Sequence, residues 1–203
     1  MAGVTETVTP RPYGSGMRLR FVFAFVLLLG ACGGHQVVLT ETAPPTFARE
    51  PGGWEDAVVE RIVDGDTIVV RIERAEPGPG AGDVGAGEHR VRLVGVDTPE
   101  SVDPRRPVEC FGREAAAATA ALLDGQRVRL VKDVEDRDAY DRLLRYVYLG
   151  DEMANARLVA NGYATAYTYP PNVRHSELFV QLEREARERD RGLWSPDTCN
   201  GKD

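Results

Sequence analysis

Three runs rich in β-branched residues lie between residues 56 and 96, ahead of the first helical pattern, and they constrain the fold more than any other feature. Residues 56–63 (DAVVERIV) and 66–73 (DTIVVRIE) read as strands joined by a tight turn at Asp64-Gly65. Residues 88–96 (EHRVRLVGV) alternate and read as a third strand. Between them, residues 75–87 are rich in Gly and Pro, which predicts an enlarged hairpin loop with no functional reading of its own. A helix is predicted from Phe111 to Leu123, ended by Asp124-Gly125, and strands follow at 126–132 and 143–149. Residues 152–161 read as a helix stopping at Gly162. A last helix is predicted over Ser176–Asp190, where Leu178, Leu182 and Ala186 fall four apart and predict one buried stripe. Three strands, a helix, two strands and two helices make an α+β chain that is mainly β. The order predicts a five-stranded barrel with helical packing, the strand count of the oligonucleotide/oligosaccharide-binding (OB) fold.

The N-terminus predicts export. Arg18 and Arg20 precede an apolar run from Phe21 to Leu29, followed by Gly30, Ala31 and Cys32. A basic start, a short apolar core and small residues form a secretory signal, and the run is well short of the roughly 20 residues that span a bilayer. Leu29-Gly30-Ala31-Cys32 resembles a bacterial lipobox, in which the cysteine carries lipid and becomes the new N-terminus. The expectation is a signal peptide over 1–32 and a membrane-anchored surface lipoprotein; a plain cleaved signal would give a secreted protein instead. Met17 is a second candidate start, which would leave residues 1–16 outside the natural chain. Residues 33–53, with Pro44, Pro45, Pro51, Gly52 and Gly53, read as a flexible linker, and the folded domain is expected over 54–203. With Cys32 lipidated, Cys110 and Cys199 remain as an even pair in an oxidising compartment, which predicts a disulfide. Its long loop would contribute roughly 4–5 kcal/mol in the chain-entropy model. The three His and remaining Cys lack zinc-ligand spacing.

A formal net charge of −7 argues against a broad basic face for nucleic acid, but a local positive site suffices for an enzyme that must release what it binds. Asp64-Gly65-Asp66-Thr67 and Asp97-Thr98-Pro99-Glu100 each place two carboxylates close together. Either alone is more often an ordinary turn or strand end, and the first lacks the spacing of an EF-hand. Arg92 lies in the third predicted strand and Arg142 leads into a later one, where arginines are usually solvated or ion-paired. Phosphodiester hydrolysis needs all of these together. Fixed cations stabilise charge growing on the phosphoryl oxygens, the arginine fork holds two of those oxygens, a metal polarises the group, and a carboxylate activates water.

The segments Val63–Thr67, Arg92–Glu100 and Tyr140-Asp141-Arg142, with Tyr167–Asn172 and Gly192–Ser195 after them, resemble in order the signature segments of the staphylococcal-nuclease (thermonuclease) family. The likeness covers roughly Val58 to Ser195. It implies a calcium-dependent nuclease on the five-stranded barrel that cuts DNA and RNA with little sequence preference, leaving a 3′-phosphate. It implies calcium ligands in Asp66, Asp97 and the Thr98 carbonyl, with Asp64 as an acid behind them. Glu100 matches the general base, Arg92 and Arg142 the phosphate-binding arginines, and Tyr140 and Tyr167 the tyrosines that contact the nucleotide. A monomer is expected.

Some positions depart from the family pattern. Asp141 stands where relatives carry Gly before the catalytic arginine, a place suited to positive φ, which Asp tolerates. Ala139 stands where the best-known member has Lys, and Cys110 and Cys199 are absent from that member. Arg105 and Arg106, after Glu100, would either steer substrate or be solvated. Two rivals stand beside the enzyme: a non-catalytic nucleic-acid-binding module on the same barrel, and a structural lipoprotein. Retention of Asp66, Arg92, Asp97, Glu100 and Arg142 weighs against both.

Overall fold

The computed structural model describes residues 46–102 and 107–201. The expected signal peptide with Cys32, residues 33–45 of the linker, and Arg105 and Arg106 lie outside the described residues. The elements run in the order β1 (Trp54–Asp64), β2 (Thr67–Glu76), β3 (Gly87–Leu93), β4 (Val96–Asp97), α1 (Gly112–Leu123), β5 (Arg127–Val131), β6 (Leu143–Leu149), β7 (Glu152–Met153), α2 (Ala154–Ala160), β8 (Thr165–Ala166) and α3 (Ser176–Glu188). The long strands pair antiparallel in the order β3-β2-β1-β5-β6, and a parallel β3–β6 pairing closes the ring. The result is the five-stranded mixed barrel with three helices expected from the sequence. Among the described residues, closure leaves no long edge to pair with another chain.

The period of two sorts the strand residues. Ala57, Val59, Ile68, Val70, Ile72, Val91 and Leu93 point inward with Leu130, Leu143 and Val147 and are almost fully buried. The third predicted strand ends earlier than read: it stops at Leu93, and Val96-Asp97 instead pairs with Thr165-Ala166. That break turns Asp97 and Thr98 back over the β1–β2 turn. On α3 the stripe differs from the one read in the sequence. Phe179 and Ala186 are buried, whereas Leu178 and Leu182 are only partly covered by the barrel.

The domain begins before Trp54. Thr46–Gly53, read in the sequence as the end of a flexible linker, is seated on the barrel. Thr46 bridges to Glu152, and Phe47 packs edge-on against Trp54 and Tyr148 beneath the Arg129 guanidinium. Glu50 accepts hydrogen bonds from Tyr148 Oη, from Arg174 Nη1 at 2.8 Å and from His175 Nε2 at 2.7 Å. Composition alone hid this, because one aromatic and one carboxylate are enough to fasten a Pro- and Gly-rich strap. Burial works to raise the Glu50 carboxyl, but the His175 and Tyr148 hydrogen bonds and the charges of His175 and Arg174 outweigh it and hold it below the usual range. Its folded-state value lies below its unfolded one, so its contribution is present above the ordinary carboxylate range and fades as pH falls through and below it. Glu50→Ala is expected to cost roughly 1–3 kcal/mol at neutral pH. A urea midpoint equal to that of the parent protein would mean that the strap is not held this way.

Cys110 and Cys199 form the expected disulfide across a sequence separation of 89. It ties the start of α1 to the C-terminal turns, where Ala186, Leu193, Trp194 and Phe111 make a small second core.

Candidate active site

Four segments converge at one end of the β2–β3 pair. Asp64 ends β1, and Gly65 and Asp66 form the turn into β2. A Cβ on Gly65 would lie 2.6 Å from Thr98 Oγ1, so only glycine lets the Asp97-Thr98 segment lie this close. The Leu93 N–H donates to the Asp66 carbonyl at 2.8 Å, which fixes Arg92 beside the same turn. Arg142 enters from the loop before β6, whose first residues run parallel to the end of β3.

The side chains then meet. Arg92 forms an ion pair from Nη1 to Asp66 Oδ2 and donates a hydrogen bond from Nη2 to Asp97 Oδ1, both at 2.6 Å. Asp66 also accepts from the Thr98 N–H at 3.0 Å, Thr98 Oγ1 at 3.2 Å and Thr67 Oγ1 at 3.0 Å. Thr67 Oγ1 in turn accepts from Arg142 Nη1 at 3.4 Å. One hydroxyl therefore links the two arginines' immediate neighbourhoods. Asp97 is half-exposed. Partial burial raises its carboxyl, the Arg92 charge and hydrogen bond oppose that, and the like charges of Asp66 and Glu109 add to it.

Asp64 and Glu100 form an acidic pair behind this group. Asp64 accepts from the Gly65 N–H at 2.9 Å and from Ser101 Oγ at 2.5 Å. Its carboxyl is pushed up to about 6, chiefly by burial; Ser101 and Gly65 oppose the rise, while the hydrogen bond with Glu100 and the charge of Asp66 support it. Glu100 also accepts from the Val102 N–H at 2.8 Å, and its own N–H donates to Glu109 Oε2 at 2.7 Å.

A cleft of about 310 Å³ opens beside Arg92 and Arg142, lined by the Leu93–Asp97 segment, Tyr140, Tyr167 and Tyr169. Tyr140 is largely exposed and flanks the Arg142 guanidinium, 5.5 Å from its ring centre. Tyr167 and Tyr169 stack with centroids 6.4 Å apart. Asp141 has φ of 61°, the left-handed backbone that the family's glycine would suit.

Two residues of this site escaped sequence reasoning. Asp138 Oδ1 accepts from the N–H groups of Tyr140 and Arg142, and its Oδ2 accepts from Arg142 Nε at 2.7 Å. Burial works against its charge, but the Arg142 and Tyr140 bonds and the Arg142 charge outweigh it and hold the carboxyl below the usual range. An Asp two residues before an exposed aromatic is a turn-forming signal that could have flagged it. Tyr169 is the second, as the stacking partner of Tyr167.

The fit for a cation rests on the donors. Among the described residues no three His, Cys, Asp or Glu side chains converge. Asp66 and Asp97 do converge on a single cationic group, the Arg92 guanidinium. Two carboxylates with the Thr98 carbonyl form an all-oxygen set suited to a hard cation, with the rest of a six-to-eight-oxygen shell left to water and substrate.

The sequence model of the staphylococcal nuclease homologue family matches residues 90–196. The chain is 42% identical over 140 residues to the thermonuclease of Staphylococcus intermedius, covering 69% of this chain and 76% of that one. This chain belongs to the staphylococcal nuclease family. A second thermonuclease, from Staphylococcus hyicus, is 39% identical over 158 residues, covering 77% of this chain and 86% of the relative. The SPbeta prophage-derived endonuclease YokF of Bacillus subtilis is 34% identical over 142 residues, which span 69% of this chain and 44% of that longer one. As a staphylococcal nuclease homologue the protein is a nuclease, an enzyme that hydrolyses phosphodiester bonds of nucleic acid.

Proposed function

We propose that this nuclease is calcium-dependent and cuts both DNA and RNA with little sequence preference, leaving 3′-phosphate and 5′-hydroxyl ends. The observation that carries the reading is Arg92 held between Asp66 and Asp97, with Arg142 one hydroxyl away at Thr67. Asp66, Asp97 and the Thr98 carbonyl would hold the calcium ion, which when bound supplies Lewis-acid polarisation of the phosphoryl oxygen. Glu100, with the Asp64 carboxyl beside it, takes a proton from the attacking water, whose oxygen bonds to phosphorus as the P–O5′ bond breaks, and the departing 5′-oxygen takes up a proton from solvent. Arg92 and Arg142 each present a planar fork to the equatorial oxygens and stabilise the charge that develops there. Asp138 holds Arg142 Nε and so fixes the plane of its fork beside the cleft. Tyr140 and Tyr167 flank the nucleotide on the cleft side.

The same proposal places the protein outside the cytoplasm as a monomer, held to a membrane through lipid on Cys32 or released as a secreted enzyme. The support is the basic, apolar and small-residue order of residues 18–32.

The test is digestion of single-stranded DNA, duplex DNA and RNA by the full chain with calcium, with EGTA, and with Glu100→Gln. Cutting is expected to require calcium and to fall by about 10²–10⁴ in the variant, the range of a lost general base. Calcium-independent cutting, or a variant as fast as the parent, would remove calcium or Glu100 from the mechanism. Oligonucleotide binding without cutting would instead favour the binding-module reading.

A further inference from the structure

On the outer face of β1–β3, two arginines stand apart from the ion pairs around them. In register across the three strands, Thr67 lies beside Arg92 in one row, and Arg61, Val69 and Arg90 form the next. A bulge between Val59 and Arg61 turns both Glu60 and Arg61 outward, so the row carries a cation at each end. Val69 is 1% exposed although it belongs to the outer face, so it is roofed by neighbouring side chains, and its cross-strand neighbours are Arg61 and Arg90. Both arginines are themselves exposed. Arg92, Arg71 and Arg74 on the same strands are all engaged with carboxylates. Among the described residues, neither Arg61 nor Arg90 meets one. In the third row Arg71 is taken up by Glu60 and Glu73 and faces Glu88. The free positive charge thus extends one row beyond the catalytic arginines and stops.

The direction matters. The tyrosine-lined cleft lies on the Leu93–Asp97 side of Arg92, and Arg90 lies on the opposite side, two residues back along β3. Parallel pairing of Val91 with Leu143 brings the Arg142 end of β6 alongside Arg90. Two residues of strand advance about 6.6–6.8 Å, close to the step between successive phosphates on an extended single strand. A strand whose scissile phosphate sits over Arg92 and Arg142, with one nucleotide in the cleft, therefore has its next phosphate over the Arg61–Arg90 row.

We propose that Arg61 and Arg90 form a second phosphate-binding subsite for single-stranded nucleic acid, one nucleotide beyond the scissile bond and away from the tyrosine cleft. The subsite rests on the nuclease reading of the Arg92–Arg142 centre. In a chain of net charge −7 it supplies a local positive track for a polyanion. The row of Arg71 and Glu88, with Glu60 ion-paired to Arg71, ends that track.

The test compares Arg61→Gln, Arg90→Gln and the double variant with the parent on two substrates. One is a thymidine p-nitrophenyl phosphodiester, which has a single phosphate bridge; the other is a long oligodeoxythymidylate. The ratio of kcat/KM for the long substrate to that for the short one is expected to fall about fivefold per arginine at low salt. The slope of log kcat/KM against log salt for the long substrate should flatten by about 0.7 per arginine. Arg90→Lys should keep the slope. Binding of fluorescein-labelled oligodeoxythymidylate, read by anisotropy, gives the same comparison without turnover. An unchanged ratio and slope in the double variant, or equal losses on both substrates, would overturn the subsite. A parent protein that cuts neither substrate would count against the catalytic reading alone, because the binding slopes still report on Arg61 and Arg90.

Discussion

Arg142→Ala is expected to lower kcat by about 10²–10³, with a much smaller change in KM, because its fork acts on charge that appears only in the transition state. The structure says why Lys should not rescue it. Asp138 holds Nε and Thr67 Oγ1 meets Nη1, so the side chain uses separate donors of one planar group at once. A lysine ammonium is a point charge on a flexible stem and cannot keep both. Arg92→Ala should lose a similar factor, with a second effect that Arg142→Ala lacks. Arg92 is the counter-charge that holds Asp66 and Asp97 together in the substrate-free site. Without it the two carboxylates repel, so calcium should bind this variant more tightly and stabilise it more against heat. Steady-state kinetics and thermal melts with and without calcium separate the two. Near-parental turnover in either variant would end the role assigned to it.

Much of the barrel was legible because strand periodicity, turn residues and helix stops agree along the chain. What was not legible came from contacts between residues far apart in sequence. Glu50 meets Arg174 and His175 across more than half of the chain, and no local pattern announces it. Phe179 took the place of Leu178 at the centre of the α3 contact, because the ring packs on Gly95 at the strand break. The break itself was missed since Val94-Gly95-Val96 continues the apolar run of β3. The family-like segments were legible in the sequence, and the structure brings Asp66, Arg92, Asp97, Thr98 and Arg142 together while setting Glu100 beside Asp64. Asp138 was passed over because it precedes the recognised motif, although its oxygens shape the loop that presents Tyr140 and Arg142.

The largest stability effect is expected at a residue that strand patterning treats as an anomaly. Arg145 and Glu55 are each fully buried in strands whose other inward positions are apolar. Arg145 satisfies all five of its N–H donors: Nε and Nη2 bind the two Glu55 oxygens at 2.9 and 3.0 Å, Nη2 binds Asp136 Oδ1 at 2.7 Å, and Nη1 binds the carbonyls of Asp136 and Leu144 at 3.1 and 2.9 Å. Glu55 also accepts the Gly82 N–H at 2.6 Å, which draws the Gly- and Pro-rich β2–β3 loop over the pair. Gly82 is needed there, because a Cβ would collide with Asp136 Oδ1 and Arg145 Nη2. The loop that had no reading in the sequence is thus the cover of a buried charge cluster. Arg145→Ala leaves Glu55 buried without its partner and is expected to cost about 3–5 kcal/mol. For a domain of this size that is a fall in Tm of roughly 10 °C or more. Replacing both charges, as Glu55→Leu with Arg145→Met, often restores stability at buried pairs. Here it should not, since the Leu144 carbonyl, the Asp136 carboxylate and the Gly82 N–H would each lose a partner at about 1–3 kcal/mol apiece. Asp136 also stands at the base of the loop carrying Asp138, Tyr140 and Arg142, so kcat should fall in the double variant even well below its Tm. Denaturant unfolding of the single and double variants decides between these cases. A double variant as stable as the parent would show that the cluster is an ordinary buried pair rather than the anchor of the catalytic loop.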